Sequence, residues 1–423
     1  MKTELHFWEL APDTYFRLSD HFWEYVLLFK DELRLSWKKL KEKANIDFGN
    51  LDEYATSKQM IPLPNLLKLQ AFLCSHFEGL SPAFVEAEIT EIRNGKHGKV
   101  IKLPKLPVNL LDPRWGALVG AVRSEGTLRD DKNGSHIANT DLEYLEKLKN
   151  SIEGLLGQVS LEIKKYKKSP NRIRPAYYLP LPFIFSDILM RGLKLEPGNK
   201  VLVDASLPNL YMSLSDENQS QIKIVATMLR WLFSGDGWIT VFKDHLGQTH
   251  RVIGIAFSKC VNDLTDKCPP RLLHQTIYLL KKFFGIRVNG PYMDKVRSYM
   301  TPIGKRTTVG WKIFIRGYYN LKKFYENIGF VEKRKNELLK SVLNTYERPK
   351  LGNGESLETV FEIAKNMKCV TAPDIAKRTK LSLSWAERLL KLGMKGGYLT
   401  TAYERHRLRG GGMSAYVYKW AGD

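Results

Sequence analysis

The spacing of apolar residues changes period several times along the chain. Phe7, Trp8, Tyr15, Phe16, Phe22, Trp23 and Tyr25 crowd residues 1–30, and that aromatic density predicts a packing helix there. Residues 35–44 are apolar at helical spacing with a serine at the start. A break follows at 45–49, then a small helix at 50–57. Ile61-Pro62-Leu63-Pro64 leads into a helix at 65–72. Helix, tight turn, helix and supporting helix over 31–100 form a helix-turn-helix layout.

From 107 to 346 the expected elements come in two similar series. The first has an apolar helix ending on an acid, extended runs at 127–129 and 136–139, and a helix at 141–156 with Asp141 as its N-cap. Strands at 159–166 and 172–179 and a helix at 183–192 complete it. The second has a like helix, strands at 238–242 and 252–257, a helix at 271–284, and strands at 286–292 and 307–316. Helices at 321–328 and 335–343 end it. Val309, Trp311, Ile313 and Ile315 alternate with Lys312 and Arg316, as in a sheet with one packed and one basic face. A Pro/Gly linker spans 347–354. Beyond it, helices at 357–367, 372–380 and 382–392 precede a hairpin with a glycine-rich basic tip, the order of a winged helix.

The expected fold class is therefore α+β. A pseudo-two-fold αββαββα core (repeats 105–200 and 201–346) lies between the helix-turn-helix module and a winged helix at 355–423. Charge narrows the partner. Sixty-six Lys+Arg against 45 Asp+Glu give +21, a field that draws polyanions. Cys74, Cys260, Cys268 and Cys369 have no paired metal-ligand spacing, and the histidines form no H-x-x-x-H pair. Neither a membrane-length apolar run nor a signal-peptide layout is present. A cytoplasmic, nucleoid-associated, free-standing protein is expected.

Chemistry points to two segments. Leu118-Val119-Gly120-Ala121-Val122-Arg123-Ser124-Glu125-Gly126 and Leu229-Arg230-Trp231-Leu232-Phe233-Ser234-Gly235-Asp236-Gly237 each run apolar, small, acidic, glycine. Gly126 and Gly237 sit where a helix C-terminus would use a residue free of Cβ strain. An acid faces the wrong end of the helix dipole, which calls for a cation. Two such ends packed together make a metal site.

With both segments on duplicated halves, residues 105 to 346 resemble the LAGLIDADG homing endonucleases. The connecting stretches Gly192-Leu193-Lys194-Leu195-Glu196-Pro197-Gly198-Asn199-Lys200 and Ile328-Gly329-Phe330-Val331-Glu332-Lys333-Arg334-Lys335 add to the likeness. Residues 31–100 similarly resemble the lambda-repressor-like helix-turn-helix family. The LAGLIDADG resemblance implies packed motif helices and sheets forming a saddle over duplex DNA, in a monomer with internal pseudo-symmetry. It implies Mg2+ or another divalent cation at Glu125 and Asp236, helped by the carbonyls of Ser124 and Gly235, with Lys200 and Lys335 as basic residues beside the site. Glu125 replaces the commoner aspartate, Arg123 is unusual, and Trp231 stands where a small residue would let the helices pack closely.

DNA contact is expected chiefly from the sheets, through Lys165, Lys167, Arg172 and Arg174 in one half. Lys243, Arg251, Arg287, Lys312 and Arg316 serve in the other. Asn50 in the first module and Arg405, Arg407 and Arg409 in the wing would add to these. The function expected is sequence-specific double-strand DNA cleavage. The alternatives are a catalytically degenerate DNA-binding regulator on the same scaffold and an RNA maturase.

Overall fold

The computed structural model describes residues 2–423 except 48, 57, 78–79, 131–133, 167–175, 244–248, 262–267, 302–303, 347–354, 368, 380, 404–415 and 422–423. The chain forms two compact units, residues 1–316 with 323–337 and residues 317–322 with 338–423.

The N-terminal region begins with β1 (Glu4–Leu5), a 3-10 turn (Phe7–Glu9), β2 (Thr14–Leu18) and α1 (Asp20–Glu32). The single helix expected over 1–30 is thus a strand followed by a helix. Thr14, Phe16 and Leu18 are buried on alternate positions, whereas Phe22, Trp23, Val26 and Phe29 recur at helical spacing. Ser19 sits at the switch, its hydroxyl accepting the Phe22 N–H at 3.0 Å as an N-cap. Aromatic density had masked this change of period.

Next come α2 (Trp37–Lys43), α3 (Leu51–Ala55), β3 (Ile61–Pro62), α4 (Leu63–His76), α5 (Pro82–Ala87), β4 (Ile89–Asn94) and β5 (Ile101–Lys102). Strands β3-β2-β4-β5 form one antiparallel sheet. The helices expected between residues 35 and 72 are present, but β2 from the preceding segment is central to the sheet they accompany.

The middle of the chain holds β6 (Val108–Asn109), which pairs with β1, then α6 (Pro113–Glu125), β7 (Gly126–Thr127), β8 (His136–Asn139), α7 (Leu142–Ile152), β9 (Lys164–Lys165) and β10 (Tyr177–Pro180). α8 (Phe183–Asp187) continues into a π-helical turn (Ile188–Gly192), and α9 (Asn209–Met212) follows. The strand expected over 159–166 is reduced to two residues. Then come α10 (Gln219–Asp236), β11 (Gly237–Lys243), β12 (Thr249–Val261), α11 (Arg271–Phe284), β13 (Val288–Thr301), β14 (Gly304–Arg316), α12 (Tyr318–Asn327) and α13 (Lys333–Asn344). The two sheets have the same order, β7-β8-β10-β9 and β11-β12-β14-β13. In each, the first strand leaves the end of an acid-tipped helix.

In the second unit, α14 (Glu355–Asn366), α15 (Ala372–Thr379) and α16 (Leu383–Lys395) precede the antiparallel pair β15 (Leu399–Tyr403) and β16 (Val417–Trp420). Val360, Ala364, Val370, Ile375, Leu389, Leu390, Leu399 and Tyr418 form its core. Among the described residues, no helix is long and apolar enough to cross a membrane.

Candidate active site

Helices α6 and α10 lie against each other so closely that glycine is required at the seam. A Cβ on Gly120 would stand 2.3 Å from the Met228 carbonyl oxygen and 2.9 Å from the Trp231 Cβ. A Cβ on Gly235 would stand 2.5 Å from the Ser124 Cβ and 2.9 Å from the Glu125 Cγ. Gly120 and Trp231 occupy the same place in the two segments, and so do Ser124 and Gly235. Each position therefore meets its own counterpart. Trp231 does not loosen the contact as expected. Gly120 makes room for its Cβ, and its ring packs edge-on against Tyr144 on α7, centroids 5.0 Å apart. The spacing of Gly116, Gly120 and Ser124 was the overlooked signal for this seam.

Gly126 and Gly237 need to lack a Cβ for a steric reason, not a backbone-dihedral one. Both are extended (φ −96° and −90°), not left-handed. They are glycine because a Cβ would fall 2.5 Å from the Val122 Cα and 2.4 Å from the Phe233 carbonyl oxygen.

The seam delivers Glu125 and Asp236 to one place. Burial raises both carboxyls above the usual range. The charge of Asp236 lifts Glu125 further, while Lys200 and Lys335 pull both back down. Lys200 Nζ donates to Asp236 Oδ2 at 3.1 Å, to the Arg123 carbonyl at 3.3 Å and to the Ser124 carbonyl. Lys335 Nζ donates to the carbonyls of Ser234 and, at 3.1 Å, Gly237. Each lysine thus covers the orphan carbonyls at the end of one helix, where a cation is favoured. A cavity of about 160 Å³ beside them is lined by Lys200, Asp236, Ser258 and Phe257, room for several waters.

Four further residues shape this place. Arg123 is 2% exposed; its Nε donates to the Ser206 carbonyl at 2.8 Å and its Nη2 to Glu196 Oε2 at 2.6 Å. Burial lowers its pKa, opposed by Glu196. Glu196 also accepts from Ser206 Oγ at 2.7 Å and Arg271 Nη2 at 2.8 Å. Burial works to raise Glu196, but these bonds and the Arg123 charge leave it below the usual range. Glu332, 7% exposed, pairs through Oε1 with Lys335 at 3.1 Å. Its Oε2 is buried and has no hydrogen-bond partner among the described residues, and its charge adds to the rise at Glu125. Tyr144, wholly buried near these acids, has its phenol pKa raised by burial. Sequence reasoning assigned no role to Glu332, Glu196 or Tyr144.

Two carboxylates with lysines at hand suit a hard cation that completes its shell with other oxygens. The Ser124 carbonyl, named as a ligand, is occupied here by Lys200. Among the described residues, no three His, Cys, Asp or Glu side chains are gathered closely enough to hold a metal.

The expected DNA contacts divide by register. Ile253 opposes Ile315 and Ile255 opposes Ile313 on the buried face of the second sheet. Lys312 opposes Ala256 and Arg316 opposes Val252, so both fall on the other face, with Trp238, Phe242 and Phe314. Lys312 pairs with Asp294 at 2.5 Å, and Arg316 lies 5.0 Å from the Phe314 ring. Arg251 and Lys243 instead fall in register with Val241 and Ile253, on the buried-face side. Lys165 opposes Tyr177, on the side of buried Leu179, and borders a cavity shared with Leu142, Glu146 and Lys149 of α7. It faces the helices, not the open side; its neighbour Lys164 is level with Tyr178 on the open side. Arg287 is exposed just before β13. Asn50 donates to Glu53 Oε1 at 3.2 Å. Lys167, Arg172, Arg174, Arg405, Arg407 and Arg409 lie outside the described residues. Sequence reading missed the aromatic character of the outward face, carried by Trp238, Phe242, Tyr292 and Phe314.

No family model and no curated protein matches the chain. Among solved structures, it is similar to the N-terminal LAGLIDADG domain of DUF199/WhiA, at 16% identity and a TM-score of 0.30, over 56% of this chain and 90% of that one. It is similar to the LAGLIDADG meganuclease I-AabMI, bound to uncleaved DNA, at 14% and 0.30, over 55% and 90%. It is also similar to the LAGLIDADG homing endonuclease I-GzeII, in complex with its DNA target, at 12% and 0.27, over 70% and 99%. At these scores the likeness concerns fold alone.

Proposed function

We propose that the chain is a LAGLIDADG-type, divalent-cation-dependent DNA endonuclease. In this reading α6 through α13 form a duplicated core, flanked by helix-turn-helix and winged-helix modules. One observation supports it most. The glycine seam between α6 and α10 brings Glu125 and Asp236 together, with a lysine at the end of each helix. Keeping two buried carboxylates beside one another costs stability unless a cation joins them.

Glu125 and Asp236 would hold Mg2+ together with phosphate oxygens of the duplex, the donor set that this ion commonly takes. Bound there, Mg2+ would supply Lewis-acid activation of water and charge stabilisation at the phosphate. Lys200 would orient a water in the cavity beside Asp236 and, with Lys335, offset the phosphate charge. The outward face of the second sheet, with Lys312, Arg316 and its aromatic rings, would lie along the duplex, phosphate contacts positioning and base contacts specifying. A regulator without catalysis would have little use for both acids, and nothing in the geometry favours a maturase.

The test is incubation with a random duplex library with and without Mg2+, followed by sequencing of bound and cut ends. Cut ends that depend on Mg2+ are expected. Asp236→Asn should abolish them while leaving duplex binding largely intact. Cleavage unchanged in that variant refutes the site, and binding without any cleavage selects the regulator.

A further inference from the structure

We propose that the tight loop joining β4 to β5 is a further phosphate-contacting element, extending the DNA interface past the end of the first sheet. The proposal rests on the DNA-binding reading above and adds a surface to it. The loop runs Asn94-Gly95-Lys96-His97-Gly98-Lys99. A Cβ at Gly98 would collide with the Asn94 carbonyl oxygen, 1.8 Å away, and Gly95 N–H donates to the Asp13 carbonyl at 2.7 Å. The turn is held tight, and Lys96, His97 and Lys99 are left exposed.

This loop borders an open cleft of about 610 Å³ whose opposite wall is Gly134, Leu181 and Phe183. Gly134 shortly precedes β8, and Leu181 directly follows β10. The cleft is therefore at the end of the first sheet, where His136 opposes Pro180. Tyr15 lines it too, with the Arg93 guanidinium 5.7 Å from the ring centre. Arg93 Nε is buried and has no acceptor among the described residues.

The acids nearby are already engaged. Asp13 Oδ1 accepts from Asn94 Nδ2 at 3.0 Å, and Glu91 pairs with Arg17 at 3.0 Å. Lys96, His97 and Lys99 have no ion pair among the described residues. By contrast α3, which begins just after Asn50, the residue of this module expected to contact DNA, has Asp52 and Glu53 in its first turn, and Asn50 is bonded to Glu53. Cationic donors at the end of the first sheet match a sugar–phosphate backbone continuing beyond the duplex contacts proposed above.

The test uses the full chain, a duplex selected from the library, and fluorescence anisotropy across salt concentrations, with footprinting alongside. Each lost phosphate contact lowers the slope of log K against log salt by about 0.9. Lys96→Ala/Lys99→Ala should therefore reduce it by about 2 and shorten the protected length at one end only. Lys96→Arg/Lys99→Arg should restore both. An unchanged slope and footprint in the alanine variant overturns the loop's role while leaving the functional reading intact. A wild-type chain that binds no duplex, or prefers single-stranded RNA, removes both.

Discussion

Helices α6 and α10 end in the same way, with an acid, an extended glycine and a lysine over the last carbonyls, but they differ one residue before the small residue–acid pair. There the first has Arg123 and the second has Ser234. Arg123 reaches Glu196, which also has Ser206 and Arg271, so the charge below the first helix is neutralised locally. The Ser234 hydroxyl accepts the Val331 N–H, at 2.7 Å. The corresponding acid, Glu332, is left with Lys335 and, among the described residues, one unpartnered oxygen. The same backbone frame thus encloses two different electrostatic environments. The unusual arginine is explained as the buried half of an ion pair with Glu196, where the counterpart helix carries a serine.

The strongest way to break the comparison is to remove Arg123. Arg123→Ala strands Glu196 and the Ser206 carbonyl, and loss of one partner of a buried pair costs about 3–5 kcal/mol. Because Glu196 keeps Arg271 and some water, about 3 kcal/mol is expected. Ser234→Ala gives up one hydrogen bond, about 1 kcal/mol. Urea unfolding of both variants decides the matter. Equal losses would mean that the two helix ends are energetically alike.

Gly120→Ala tests the seam that both ends share. The new methyl would meet the Met228 carbonyl, and backbone cannot step aside as a flexible side chain does. Overpacking of this kind costs about 1–3 kcal/mol, and about 2 kcal/mol is expected from thermal unfolding. A neutral result would show that the helices part easily and would weaken the case for a fixed distance between Glu125 and Asp236.

The sequence displayed the acid-tipped helices, the paired series of elements and the lysines, because each is written within a short window. α11 is found over the residues expected, since Leu272, Leu273, Leu279, Leu280 and Phe283 mark one helical face plainly. What stayed hidden depends on pairing across long separations. Glu4 finds Asn109, Phe16 finds Ile92, and Arg123 finds Glu196, and no local pattern announces such partners. Facing was equally hard to read. Lys165, Lys243 and Arg251 belong to basic strands, yet a shift of one residue decides which side of a sheet a charge takes.

The smallest expected effects separate the two glutamates. Since Glu196 lies below its ordinary value of 4.5, its interactions contribute stability above that pH and lose it as pH falls through the depressed value. Glu196→Gln should cost about 1 kcal/mol at neutral pH, modest because the group is part-exposed, and should flatten the acid limb of the stability curve. Glu332→Gln removes a buried charge with an unsatisfied oxygen. Lys335 still has the Ser234 and Gly237 carbonyls and can keep donating to the amide oxygen, so the cost should stay at or below about 1 kcal/mol. Stability against pH from chemical unfolding distinguishes them. If Glu332→Gln were the more damaging, the second helix end would depend on its acid after all, and the contrast drawn from Arg123 and Ser234 would fail.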